Sequence, residues 1–115
     1  MTEAAALALT ITIEVPAVVG LAALLGWARG ERLPLLLVAV GANLLSHPLL
    51  WWADAALSGA LRYGPRVALL EAAVVLFEGW AYAVPAGLGL RRGLLASAVA
   101  NGTSLAAGLA IYGVL

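Results

Sequence analysis

The chain has 115 residues, room for one domain, and 64% of them are apolar against 10% charged, with a mean hydropathy of +1.05. A soluble domain is nearer about 45–50% apolar and about 25% charged, so composition excludes a water-soluble globule and predicts an integral membrane protein. Net charge is zero with no basic patch for nucleic acid, there is no Cys and no Lys, and His47 is the one histidine; thiolate, disulfide, Schiff-base and two-histidine haem chemistry are excluded with them.

Four segments reach the roughly 20 apolar residues a membrane helix needs. They predict an all-α fold, a four-helix transmembrane bundle built from short antiparallel hairpins. The first span runs from about Ala4 to Ala28. The start of the chain has no basic segment ahead of it, so this span is expected to be retained rather than cleaved as a signal peptide. The second runs from about Leu33 to Ala53, with Pro34 suited to its first turn. The third covers about Arg66 to Val84, just after Pro65, and the fourth about Gly93 to Leu115. The breakers and most of the charge fall in the joints: Arg29 to Arg32, Asp54 to Pro65, and Pro85 to Arg92.

Trp and Tyr favour membrane interfaces. Trp27, Trp51, Trp52, Tyr63, Trp80, Tyr82 and Tyr112 all fall near a predicted span boundary and are read as interfacial. The first and third joints carry Arg29, Arg32, Arg91 and Arg92, whereas the opposite side carries Arg62 and Arg66. The positive-inside rule then puts the short joints in the cytoplasm and both termini outside, in the cell membrane.

Ionisable side chains at membrane depth cost about 2.5–3.5 kcal/mol each on insertion scales. Glu14, His47, Glu71 and Glu78 therefore need a reason, and Thr10, Asn43, Ser97, Asn101 and Ser104 accompany them. Residues three, four or seven apart share a helix face. Thr10 and Glu14 do so, as do Asn43 and His47, Glu71 and Glu78, and the set Ser97, Asn101 and Ser104. Each span thus carries one polar stripe, and all four stripes are expected to face the bundle interior. Counting about 1.5 Å per residue gives two layers, an outer one of His47, Glu71 and Thr10 and an inner one of Glu14, Glu78, Asn43 and Asn101. Pro16 and Pro48 each release a backbone carbonyl, of Thr12 and Leu44, expected near the stripes as a further cation ligand. Ala96, Ala100, Ser104 and Gly108 form a small-residue stripe suited to close helix packing.

The constellation points first to a small transporter or transporter subunit that handles a cation. Glu14 and Glu78 would be its central binders, with His47 and Glu71 as an outer relay. Those four are also a candidate first shell for a divalent metal such as Zn²⁺, Mn²⁺ or Fe²⁺. Two other readings stand beside it. One is an intramembrane metal-dependent enzyme in which His47 and Glu71 hold the metal. The other is an accessory or assembly protein whose polar stripes make interhelical hydrogen bonds with a partner. The partners expected are the lipid bilayer and either a second copy of the chain or another membrane protein. In length, in its four-span plan and in a lone mid-depth glutamate in span one, Glu14, the chain resembles the small multidrug resistance transporters. The resemblance is one of architecture and does not extend to Glu71, Glu78 or the His47-Pro48 step.

Overall fold

A computed structural model describes residues 2–27 and 32–111. They form four helices and, among the described residues, no strand: α1 Glu3–Leu25, α2 Arg32–Leu57, α3 Tyr63–Ala83 and α4 Leu90–Ile111. The all-α four-helix bundle is therefore present. Arg29 and Glu31 of the first joint, and Tyr112 with the last residues of the fourth span, lie outside the described residues. The molecule measures 45 × 24 × 21 Å, close to the ~40–45 Å thickness of a bilayer with its headgroups. Three helices, α1, α2 and α4, are long and apolar enough to cross a membrane. Helix α3 has the length, but Arg66, Glu71 and Glu78 all lie on it.

Local chemistry explains where the helices begin and end. Thr2 caps α1, its hydroxyl accepting from the Ala5 N–H at 3.1 Å. At the other end Gly26 takes φ 70°, and the Trp27 N–H donates back to the Ala22 carbonyl at 2.8 Å. Only glycine adopts that turn without strain. Helix α2 runs past Ala53 to Leu57, so Asp54 is helical and meets Arg66 of α3 at 2.6 Å. Helix α3 starts at Tyr63, ahead of Pro65, because the first turn of a helix leaves its N–H groups unpaired and loses nothing to a proline there. Thr12 and Thr103 face outward, and their hydroxyls donate to the carbonyls of Ala8 and Val99, at 2.6 and 2.7 Å. That back-bonding lets a hydroxyl face lipid.

Each helix packs on its neighbours in the chain, and α4 closes the ring onto α1. Helices α1 and α3 oppose each other across one diagonal, α2 and α4 across the other. The apolar core occupies the half of the bundle nearer the short joints. It comprises Val15, Val18, Ala22, Leu35, Ala39, Tyr82, Ala96 and Ala100, closed by Ala86 and Leu88. Those last two belong to the α3–α4 joint, which folds back under the bundle through Leu88 N–H to Tyr82 carbonyl and Gly89 N–H to Ala83 carbonyl bonds. Beside it, Arg92 lies over the Trp27 ring, 5.4 Å from its centre, and ties the end of α1 to the start of α4.

Among the glycines, the closest helix-to-helix approach joins α3 to α4. A Cβ on Gly93 would stand 2.5 Å from the Gly79 carbonyl oxygen and 2.7 Å from the Ala83 nitrogen. Both neighbours are backbone and cannot rotate away. Gly93→Ala is expected to wedge α3 from α4 and lower stability by about 1–3 kcal/mol. Gly102→Ala, where an added Cβ meets nothing within 4 Å, is the matched control. Thermal unfolding of the two purified variants in detergent compares them, and equal midpoints would contradict the contact.

Candidate functional site

The termini end of the bundle, where the α2–α3 loop also lies, is hollow. A vestibule of about 400 Å³ lies between the outer halves of all four helices. Its walls are chiefly apolar, with Leu9 and Ile13 of α1, Leu50 of α2, Leu70 of α3 and Leu105 and Leu109 of α4; Asp54 and Tyr63 stand at its rim. Below it sits a second chamber of about 40 Å³ with a largely polar lining. Thr10, His47, Leu50, Glu71 and Ser104 line both spaces and form the neck between them. Glu14, Asn43, Ser46, Glu78 and Asn101 line the chamber alone. Beyond the chamber the apolar core seals the bundle.

The stripes meet because lipid offers their polar atoms nothing to bond. Glu14 on α1 and Glu78 on α3 approach across the diagonal, each only 1% exposed, and their carboxyl groups lie within hydrogen-bonding reach of each other. Their surroundings differ. Glu78 accepts from the Ser46 hydroxyl at 3.2 Å, the Tyr82 hydroxyl at 3.4 Å and the Asn101 amide at 3.4 Å. Glu14 accepts from the Ser104 hydroxyl through Oε1 at 2.6 Å, while its Oε2 is buried with no partner. Asn43 Oδ1 and His47 Nδ1 are likewise buried and unpartnered. The amide nitrogen of Asn43 donates to the Ala39 carbonyl at 2.9 Å, which leaves the oxygen for the chamber. The His47 ring lies against Trp51, one turn further along α2, with 6.3 Å between centres.

Of the residues singled out from sequence, Thr10, Glu14, Asn43, His47, Glu71, Glu78, Asn101 and Ser104 surround this chamber. Ser97 does not: its hydroxyl crosses to the Val75 carbonyl at 2.8 Å and accepts from Asn101 at 3.3 Å, holding that amide in place. Two expectations are corrected. Tyr82 is not interfacial but fully buried, with its hydroxyl on Glu78; its spacing of four from Glu78 was the signal that it belonged to the same stripe. Pro16 and Pro48 lie on exposed faces, with Thr12 and Leu44 exposed beside them, so the released carbonyls are not turned to the polar chamber. Both helices run unbroken through their prolines. Ser46, three residues from Asn43 on the same face, is a further donor to Glu78.

Among the described residues, no group of three His, Asp or Glu side chains is arranged to hold a metal ion. Comparison with protein-family models, curated protein sequences and solved structures found no match.

Removing one neutral donor from Glu78 leaves it two others. Tyr82→Phe is therefore expected to cost about 1 kcal/mol in detergent unfolding while the bundle still folds. An unchanged unfolding midpoint would show that the Tyr82 hydroxyl contributes nothing to holding Glu78.

Proposed function

We propose that this protein is a small polytopic membrane transporter, or a subunit of one, whose Glu14–Glu78 pair carries a proton or another monovalent cation. The observation that carries the reading is the placement of two facing carboxyl groups at the blind end of a vestibule. A transported cation needs a site deep in the membrane with a path to one side and a barrier to the other. The vestibule and neck supply the path; Val18, Ala22, Leu35, Ala39, Tyr82 and Leu88 supply the barrier. Two carboxyl groups in contact in a dry bundle do not both stay charged without a counter-charge; they share a proton or take up a cation. His47 and Glu71, at the neck, would relay charge between vestibule and pair.

A divalent metal ion, and with it metal-dependent intramembrane catalysis, is the weaker reading. Zn²⁺ in particular needs three or four protein ligands within bonding distance, and among the described residues no three of the carboxylates and imidazole are grouped in that way. In sequence the short joints carry Arg29, Arg32, Arg91 and Arg92, while the other end carries Arg62 and Arg66, the latter paired with Asp54. This charge pattern supports a cell-membrane orientation with the joints in the cytoplasm and the vestibule facing outward.

Two measurements test the reading. In proteoliposomes under a potassium diffusion potential, the wild-type protein is expected to acidify the lumen faster than protein-free vesicles do. Glu14→Gln and Glu78→Gln are expected to return the rate to that background. Wild-type flux at background, or full flux in Glu14→Gln, would defeat the proposal. Because the chain has no native cysteine, orientation is read by single substitutions. In intact cells, Leu109→Cys at the vestibule is expected to react with a membrane-impermeant maleimide, and Arg91→Cys is expected to stay protected. The reverse pattern would invert the topology.

A further inference from the structure

The chamber holds three buried side-chain atoms that lack a hydrogen-bond partner: Glu14 Oε2, Asn43 Oδ1 and His47 Nδ1. An orphaned buried polar atom costs about 1–3 kcal/mol, so three around one small space point to something that fills it. All three can accept: Glu14 Oε2 only accepts when the carboxyl group is ionised, as it is with a cation bound, Asn43 has its amide nitrogen on Ala39, and Nδ1 accepts in the tautomer with the imidazole proton on Nε2. What satisfies them must bring donors, and the neighbouring Glu14–Glu78 pair calls for positive charge. The space, about 40 Å³, admits a small polar group, since a single water needs about 10–15 Å³ of such space. Water brings two hydrogens. A primary ammonium head brings three and a charge. A bare alkali cation prefers oxygen on all sides and gains little from the imidazole nitrogen.

The rest of the ligand is set by what lies above the neck. The vestibule is some ten times larger than the chamber, about 400 Å³ against 40 Å³, and walled by leucine, isoleucine and valine side chains. We propose that chamber and vestibule together bind a primary alkylammonium ion, its NH₃⁺ head among Glu14, Asn43 and His47 and its alkyl chain along the apolar wall. This rests on the reading that the Glu14–Glu78 pair receives a cation, and it names that cation's class. A quaternary ammonium fails on both counts, since it has no N–H and its methyl groups overfill the chamber. An alcohol has one donor and no charge.

The test uses the full chain, purified in detergent, with calorimetric titration against micelle blanks. The probes are n-butylammonium, n-butyltrimethylammonium, n-butanol and ammonium chloride. n-Butylammonium is expected to bind at least about tenfold more tightly than each of the other three. Equal or tighter binding of the trimethyl compound, or no binding of n-butylammonium, overturns the assignment. His47→Phe keeps a ring against Trp51 and removes Nδ1; it is expected to narrow the gap between the primary and quaternary amines, and an unchanged gap overturns the role of that atom. Gly108→Leu probes the chain without touching a polar group, because a Cβ there meets nothing within 4 Å and Gly108 lines the vestibule alone. It is expected to weaken n-butylammonium while leaving ammonium unchanged, and unaltered n-butylammonium binding overturns the placement of the chain. Binding is read without any gradient. Its failure with proton flux intact overturns this assignment alone, whereas binding without flux overturns the transport reading and leaves the assignment standing.

Discussion

Carboxyl groups cannot face hydrocarbon, and that constraint sets the rotation of the helices in this bundle. Glu14 and Glu78 would each cost several kcal/mol against lipid, and Asn43 and Asn101 would leave amide groups unbonded there. Turning all four inward fixes the rotation of α1, α2, α3 and α4 about their axes at once. The large apolar side chains left outside, among them Leu24, Leu37, Leu49, Trp52 and Leu76, then form the lipid-facing belt without further specification. In a membrane, where lipid tails are as apolar as leucine, burial of leucine does not orient a helix; the polar atoms do.

Those inward polar groups leave the bundle unevenly filled along its axis. At the short-joint end, alanine and glycine bring the backbones close, with Gly79 against Gly93 and Ala22, Ala39, Ala96 and Ala100 buried between the helices. At the termini end, larger side chains line a hollow that they do not fill. The unsatisfied atoms of Glu14, Asn43 and His47 lie where these two regimes meet. The polar cluster is thus neither in bulk-accessible space nor in the sealed core, and the functional reading depends on that intermediate position.

Much of this was legible in the sequence, for a physical reason. A polar residue in an apolar span stands out, and three-, four- and seven-residue spacings convert directly into a shared face. That is why Thr10 with Glu14, Asn43 with His47, and Asn101 with Ser104 could be grouped before any coordinates. What was not legible came from side chains with two plausible environments. Tyr82 suits a membrane interface by residue type, and only the third dimension shows its hydroxyl seated on Glu78. Pro16 and Pro48 lie close in sequence to the polar stripes but point another way, because a step of one or two residues turns about 100° or 200° around a helix. The Gly79–Gly93 approach was not read although both glycines sit in four-residue small spacings, Gly79 with Ala83 and Gly89 with Gly93, because such spacing marks a face fit for close packing without naming the helix that packs on it.

The Gly79–Gly93 seam has a mechanical consequence. Most helix interfaces interlock, ridge into groove, and resist axial sliding because side chains must climb past one another. Here the interlock is tight: backbone meets backbone at Gly93 while the Leu94 side chain seats on Gly79, and the Ser97–Val75 and Asn101–Glu78 hydrogen bonds cross the same seam. A seam interlocked in this way resists sliding and makes α3 and α4 move as one body. Glu78 is then carried by a rigid helix pair, and a change in its distance from Glu14 requires that pair to move against α1.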